Sequence, residues 1–297
     1  MGGLEPMKEI VIISGKGGTG KTSVTSSFAI LAGENAIVAD CDVDAADMHI
    51  LMQPDFEKTE DFYSGELAVI NQDDCTQCGV CADVCRFNAI PVINGQYIVN
   101  PLSCEGCGYC ARVCPTNAIT NIDLKVGKWF ISNIKTGTTM VHAKLGIGAD
   151  NSGKLVTKVK NEAKQLAKEQ NKDYVLIDGS PGVGCPVVSS LSGAHFVVLV
   201  TEPTVSALHD LKRVYKLVKK FNIKAGCIIN KWDINEKTGN EIKEYLKEEG
   251  ILHIADLPYE ESFTKAMIQG KAVVEIGESK VAELLKESWE TIKQSLT

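Results

Sequence analysis

Short apolar runs, each stopped by an acid, a serine or a glycine, alternate with longer stretches of helical period along most of this chain. The runs are Glu9–Ile13, Ala36–Asp40, Tyr174–Asp178, Phe196–Val200, Ala225–Ile229 and Ile251–Ile254. Unbroken apolar runs of this length suit strands covered by helices on both faces, as in parallel sheets. Helical period is found from near Gly20 through Phe28, Ile30 and Leu31, and again over 153–170, 205–221 and 237–249. The order strand, glycine turn, helix, strand at the N-terminus is a βαβ unit. The predicted class is therefore α/β, a mostly parallel sheet flanked by helices. Near the C-terminus, Val281, Leu284, Leu285, Trp289 and Ile292 fall on one helical face. They predict a closing helix packed on the sheet rather than a membrane-surface helix.

One stretch breaks the rhythm. Roughly 60–125 has little apolar periodicity and holds eight of the eleven cysteines. It is internally duplicated: Cys-x2-Cys-x2-Cys-x3-Cys-x2-Asn-Ala-Ile runs from Cys75 to Ile90 and again from Cys104 to Ile119. A unit this small buries little core and is expected to be held by metal. The predicted organisation is a first domain part over 1–59, a small inserted α+β domain over 60–125, and the second domain part over 126–297. Insertion is thermodynamically mild, since loop closure costs only about 0.6 kcal/mol more per doubling of length.

Composition narrows the picture. The chain has 297 residues, 44% hydrophobic and 23% charged, with a formal net charge of −7. This suits a globular protein and argues against nonspecific nucleic-acid binding. No apolar stretch approaches the roughly 18 residues of a membrane span, and no secretory leader is evident. Met1–Pro6 looks like a short leader before Met7. A cytoplasmic location is expected, and there the cysteines read as metal ligands before disulfides.

Gly15-Lys16-Gly17-Gly18-Thr19-Gly20-Lys21-Thr22 fits G-x4-G-K-[ST] between a strand and a helix. Glycines let backbone N–H groups curl around phosphate, and the helix N-terminus favours an anion. Gly15 to Thr22, with Ser23, are the expected Mg-ATP-binding residues. Lys21 would reach the β- and γ-phosphates, and Thr22 would face Mg²⁺. The early lysine makes the loop resemble the deviant Walker A motif of the MinD/ParA/Mrp/nitrogenase-reductase family. That resemblance implies a sandwich homodimer in which Lys16 reaches the other copy's nucleotide. It also implies that Asp42 orients the attacking water, that Asp40 supports the Mg²⁺ shell, and that Asp178 is the Walker B acid. Ser180-Pro181-Gly182 would be the γ-phosphate switch, with Ser180 a departure from the family's more usual residue. Asn230 and Pro258 stand where relatives contact the base. Extra acids at Asp44 and Asp47 blur the assignment around Asp42.

The cysteine spacing is that of a bacterial two-cluster ferredoxin, in which the fourth cysteine of each run serves the other cluster. By that resemblance Cys75, Cys78, Cys81 and Cys114 hold one [4Fe–4S] cluster. Cys104, Cys107, Cys110 and Cys85 hold the second. Zinc also uses paired CxxC, but two tandem runs of this form fit it poorly. Arg86 follows Cys85 where a proline is usual; Pro115 keeps that position in the second run. Cys41 and Cys227 read as structural. Cys185 lacks the CxxC partner of a bridging cluster. His142, His209 and His253 show no ligand spacing.

The resemblance covers essentially the whole chain and is to ferredoxin-domain-containing MinD-superfamily ATPases. Val141–Gly148 and Asn151–Leu155 add to it without a mechanistic account. It implies an ATP hydrolase whose nucleotide-dependent dimer gates electron or cluster transfer, with a redox or metallocofactor-assembly protein as partner. The alternative is a MinD/ParA-like positioning ATPase with structural clusters.

Overall fold

The computed structural model describes residues 7–146 and 152–296. Met1–Pro6 lies outside them, as do Ile147, Gly148 and Asn151 of the two family-like segments.

The chain opens with β1 (Lys8–Ile13), α1 (Lys21–Ala32), β2 (Ala36–Asp40), the short α2 (Met48–Met52) and the long β3 (Lys58–Ile70). The cysteine-rich stretch holds α3 (Val80–Asp83), β4 (Val92–Ile93), β5 (Gln96–Tyr97) and α4 (Tyr109–Val113). Two strands follow, β6 (Ile119–Asn133) and β7 (Thr139–Leu145). Strands and helices then alternate: α5 (Ser152–Glu169), β8 (Tyr174–Asp178), α6 (Cys185–Leu191), β9 (Phe196–Thr201), α7 (Val205–Lys220) and β10 (Lys224–Asn230). The last elements are α8 (Glu236–Glu249), β11 (Leu252–Leu257), α9 (Ser262–Ile268) and α10 (Lys280–Ser295). Three helices, α7, α8 and α10, start where a side chain caps them. Thr204, Asn235 and Ser279 accept from the backbone N–H of Ala207, Thr238 and Ala282, satisfying donors that have no intrahelical partner.

Among the described residues the large sheet has the order β11-β10-β9-β1-β8-β2-β7-β6-β3. β1 pairs in parallel with β8 and β9, β2 with β8 and β7, and β10 with β9 and β11. The expected α/β class with a mostly parallel sheet is what the chain forms. Register decides the chemistry: Asp40 of β2 lies directly opposite Asp178 of β8, so two acids far apart in sequence share one end of the sheet.

Three strands of the large sheet escaped the apolar-run criterion. β3 and β6 mix exposed polar and charged residues with buried ones, and β7 interrupts its apolar residues with His142 and Lys144. β11 runs past Ile254 to Leu257, where its parallel pairing with β10 continues to Asn230, and Asp256 there meets Lys243 at 2.6 Å and His253 at 2.9 Å. The C-terminal helix packs inward: Val281, Leu285, Trp289 and Ile292 are buried. Trp289 meets Phe28 of α1 at 5.6 Å and Tyr174 of β8 at 5.3 Å between ring centroids.

The chain divides into two compact units. One comprises the described residues up to Glu60, Trp129–Lys144, and everything from Ser152 onward. The other is Asp61–Lys128 with the short stretch that begins at Leu145. The boundaries fall inside β3 and β6. The smaller unit has its own core of Ala68, Ile70, Ile90 and Ile119, against which the cysteines pack.

Trp289→Ala should destabilise the larger unit by about 3–5 kcal/mol, the usual cost of truncating a buried aromatic. Urea unfolding of the full chain measures it.

Candidate functional site

β1 ends at Ile13 and hands the chain to the loop Ser14–Gly20. Gly18 and Gly20 have φ of 81° and 93°, the left-handed region that side chains rarely enter. At Gly15 a side-chain carbon would lie 2.5 Å from the Asp210 backbone. The loop is thus built for glycine at both ends. α1 follows without any side-chain cap, so its first-turn N–H groups point from a positive dipole end toward whatever the loop encloses. The Thr19 hydroxyl is buried and has no hydrogen-bond partner.

Lys21 heads this helix and is almost fully buried. Its Nζ lies 2.9 Å from Asp178 Oδ1 and 3.3 Å from Asp42 Oδ2. The Thr22 hydroxyl donates to Asp178 Oδ2 and the Thr25 hydroxyl to Asp178 Oδ1, both at 2.8 Å. The Asp42 N–H donates to Asp40 Oδ1 at 3.1 Å. Three carboxylates therefore surround one ammonium. Burial would depress Lys21, but Asp178 and then Asp42 raise it above the ordinary lysine value. Burial, reinforced by Asp178, pushes Asp40 well above the usual carboxylate range. Burial raises Asp42 against the opposing pull of Lys21. Asp44 and Asp47 are exposed.

Beside these groups is a cavity of about 360 Å³ lined by Gly17, Lys21, Thr22, Ser23, Asp42 and Ile50, among others. Its donor set suits Mg-ATP: flexible backbone, a lysine, a threonine hydroxyl, and more carboxylate than ammonium for a divalent cation to balance. Lys16, Asn230 and Pro258 do not line this cavity. Asn230 is occupied elsewhere: its Nδ2 donates to the Thr19 carbonyl at 2.9 Å, and its Oδ1 accepts from the Lys231 N–H at 3.0 Å. It braces the loop from β10. Pro258 follows β11 and is half-buried. Ser180 is buried, its hydroxyl donating to the Cys41 carbonyl at 2.9 Å, which ties the end of β8 to that of β2.

Lys16 points to a residue that the motifs did not single out. Its Nζ is 2.9 Å from Glu202 Oε1, at the end of β9, and Lys231 Nζ is 3.4 Å from Glu202 Oε2. Although burial raises Glu202, the bond from Lys16 and the charge of Lys231 hold it below the usual range. Thr25 was likewise missed. The one available signal for Glu202 was an acid just past the end of an apolar strand.

In the smaller unit the cysteines form two groups around separate cavities. One, of about 410 Å³, is lined by Cys85, Cys104, Cys107 and Cys110, with Arg86 and Glu105. The other, of about 20 Å³, is lined by Cys75, Cys78, Cys81 and Cys114, with Tyr97 and Pro115. Each group takes three cysteines from one run and the fourth from the other. Gly79 and Gly108 have φ of 79° and 68°, and Asn88 and Asn117 have φ of 50° and 55°. The duplicated Gly and Asn thus serve the same left-handed turns in both runs. Among the described residues no three His, Cys, Asp or Glu side chains are grouped as a single ion requires. Four thiols around each cavity are the donor type that a [4Fe–4S] cluster would take.

Cys41 and Cys227 are buried, and burial pushes both thiols up. Cys185 is exposed at the start of α6. His142 bonds the Ser132 hydroxyl at 2.9 Å, and burial lowers it to about 4; His253 serves Asp256. His209 is exposed beside Asp210.

Asp40 holds its proton more tightly folded than unfolded. Its contribution is fully present below the unfolded pKa of about 4 and is lost as pH rises through the elevated folded value. Without Mg²⁺ or nucleotide, the stability that Asp40 contributes should fall from about pH 4 upward. Asp40→Asn keeps the acceptor for the Asp42 N–H and should flatten that loss. Thermal melts in chelator across pH check it; an unchanged slope would refute the assignment.

Comparison with known proteins agrees with this geometry. Residues 10–273 match the CobQ/CobB/MinD/ParA nucleotide binding domain. A protein of Methanocaldococcus jannaschii without assigned function is 36% identical over 288 residues, 96% of each chain. The septum site-determining protein MinD of Pyrococcus horikoshii, complexed with Mg-ADP, superposes with a TM-score of 0.59 at 19% identity, covering 98% of this chain and 97% of that one. MinD in the MinC:MinD complex of Aquifex aeolicus gives 0.59 at 18% identity, covering 97% and 96%. At these identities the two structures speak to fold, while the domain match and the M. jannaschii relative decide membership: this chain belongs to the CobQ/CobB/MinD/ParA family of P-loop nucleotide-binding proteins.

Proposed function

We propose that this protein is a Mg-ATP hydrolase that works as a dimerisation switch and carries two [4Fe–4S] clusters. The observation that carries the ATPase reading is the convergence of Lys21, Thr22, Asp42 and Asp178 at the uncapped start of α1. The loop N–H groups and Lys21 would hold the β- and γ-phosphates. Thr22, with Asp40 and Asp178 behind it, would hold Mg²⁺, which neutralises charge on the phosphate oxygens. Asp42, at the edge of the cavity, would orient the attacking water. Each of these roles requires Lys21 to exchange carboxylate contacts for phosphate.

Lys16 acts on the other copy's nucleotide in this reading and must first leave Glu202. The partner is then a second copy of the chain, as the family resemblance implies. The exposed position of Lys16 is consistent with that: its side chain is 39% accessible against 13% for Glu202.

For the switch's output, the likeness to MinD and ParA proteins favours positioning, in which nucleotide-dependent pairing recruits the chain and hydrolysis releases it. The clusters would then be structural staples. A second reading, ATP-timed electron or cluster transfer to a metallocofactor-assembly or redox protein, is favoured by one observation. Cys107, a ligand in this reading, is exposed, so the cluster it holds would lie within reach of a docked protein. No described helix is long and apolar enough to cross a membrane.

Lys21→Ala should abolish ATP hydrolysis. Lys16→Ala should still bind ADP, yet lose ATP-dependent pairing and hydrolyse on the order of 10³-fold more slowly, as when a charge supplied in trans is removed. Glu202→Gln should pair at lower ATP concentration than wild type in light scattering; pairing at the same concentration would remove Glu202 from the switch. Hydrolysis measured with clusters oxidised and then reduced separates the two outputs. Indifference favours positioning, and a rate that follows oxidation state favours transfer.

A further inference from the structure

The duplicated cysteine runs are alike in backbone and unlike in charge. Where the second run continues Cys114-Pro115, the first continues Cys85-Arg86. Where the first run reads Cys75-Thr76-Gln77-Cys78, the second reads Cys104-Glu105-Gly106-Cys107. Arg86 and Glu105 come from different runs, yet exchange of the fourth cysteine brings them to one cavity, that of Cys85, Cys104, Cys107 and Cys110. The cavity of Cys75, Cys78, Cys81 and Cys114 has Pro115 and Thr76 at the matching places and no charged side chain in its lining. Among the described residues neither Arg86 nor Glu105 has a side-chain hydrogen bond or ion pair. Their charges are therefore not neutralised by the protein.

We propose that Arg86 and Glu105 tune the reduction potential of one cluster only, the one held by Cys85, Cys104, Cys107 and Cys110, and so make the two clusters inequivalent. The proposal rests on the cofactor reading above. Reducing a cluster adds one electron and one negative charge, with no bond made or broken. A cation at the cavity wall stabilises the reduced form and raises the potential; an anion lowers it. The signs are therefore set separately: Arg86 pulls that cluster up and Glu105 pulls it down. Both charges sit where solvent also reaches, so screening limits each effect, but both act on the same cluster. Proximity in sequence would instead assign Arg86 to the cluster of its own run.

The test is an anaerobic titration of the full chain, poised with dithionite and mediators and followed by electron paramagnetic resonance. Wild type should give two resolvable waves. Arg86→Gln should lower one wave and Glu105→Gln should raise that same wave, each leaving the second in place. Arg86→Lys should restore the wild-type position, which a merely structural arginine would not require. Pro115→Arg should raise the other wave. Unchanged waves, waves that move together, or a different wave moving in each of the two Gln variants would overturn the proposal. If Arg86→Gln fails to assemble clusters, Glu105→Gln and Pro115→Arg decide it. A wild-type chain that takes up no iron–sulfur cluster on anaerobic reconstitution overturns the cofactor reading itself, and this proposal with it.

Discussion

One buried ammonium among three carboxylates organises the larger unit. Lys21 starts α1, Asp178 ends β8, and Asp42 and Asp40 end β2. Removing Lys21 would leave Asp42 and Asp178 without their counter-charge in a place where water compensates poorly, which is the costly way to break a buried ion pair. The same cluster keeps the loop's backbone donors, the threonine hydroxyl and the acids at one end of the sheet. It also carries more negative than positive charge. On the proposed reading a divalent cation would answer that imbalance at the carboxylates, which would free the lysine for a phosphate.

The smaller unit solves a different problem. Its apolar core is a handful of residues around Ile70, Ile90 and Ile119, too little to fix so many turns by burial alone. The turns are instead set by residues that tolerate the left-handed region, with Gly79, Gly108, Asn88 and Asn117 repeated at matching places. Each cavity takes three thiols from one run and the fourth from the other. The arrangement makes each cavity a joint product of both runs, and that is why a charge beside one run can belong electrically to the other.

Much of this was legible in the chain itself, because the signals are local. The loop Gly15–Thr22, the apolar strands ending at Asp40 and Asp178, and the helices over 205–220 and 236–249 all depend on neighbours in sequence. β3, β6 and β7 were not legible: exposed or polar-interrupted strands owe their form to pairing, and pairing leaves no period in a single segment. Asn230 shows the same limit at the level of one residue. Its place at the end of β10 suggested contact with the base, while its bracing of the loop through the Thr19 carbonyl and its bond from the Lys231 N–H left no mark in the sequence.

Sequence alone determined the α/β class, the phosphate-loop chemistry and the duplication of the cysteine runs, since each follows from residue spacing and hydrophobic pattern. The tertiary structure decided which distant groups meet. It set Asp40 against Asp178 through strand register, turned Lys16 onto Glu202, and gathered Arg86 and Glu105 around one of the two cysteine-lined cavities. The reason is physical: spacing fixes what a short segment can do, but the field at a charge depends on every group folded within reach, and only the folded chain sets those distances.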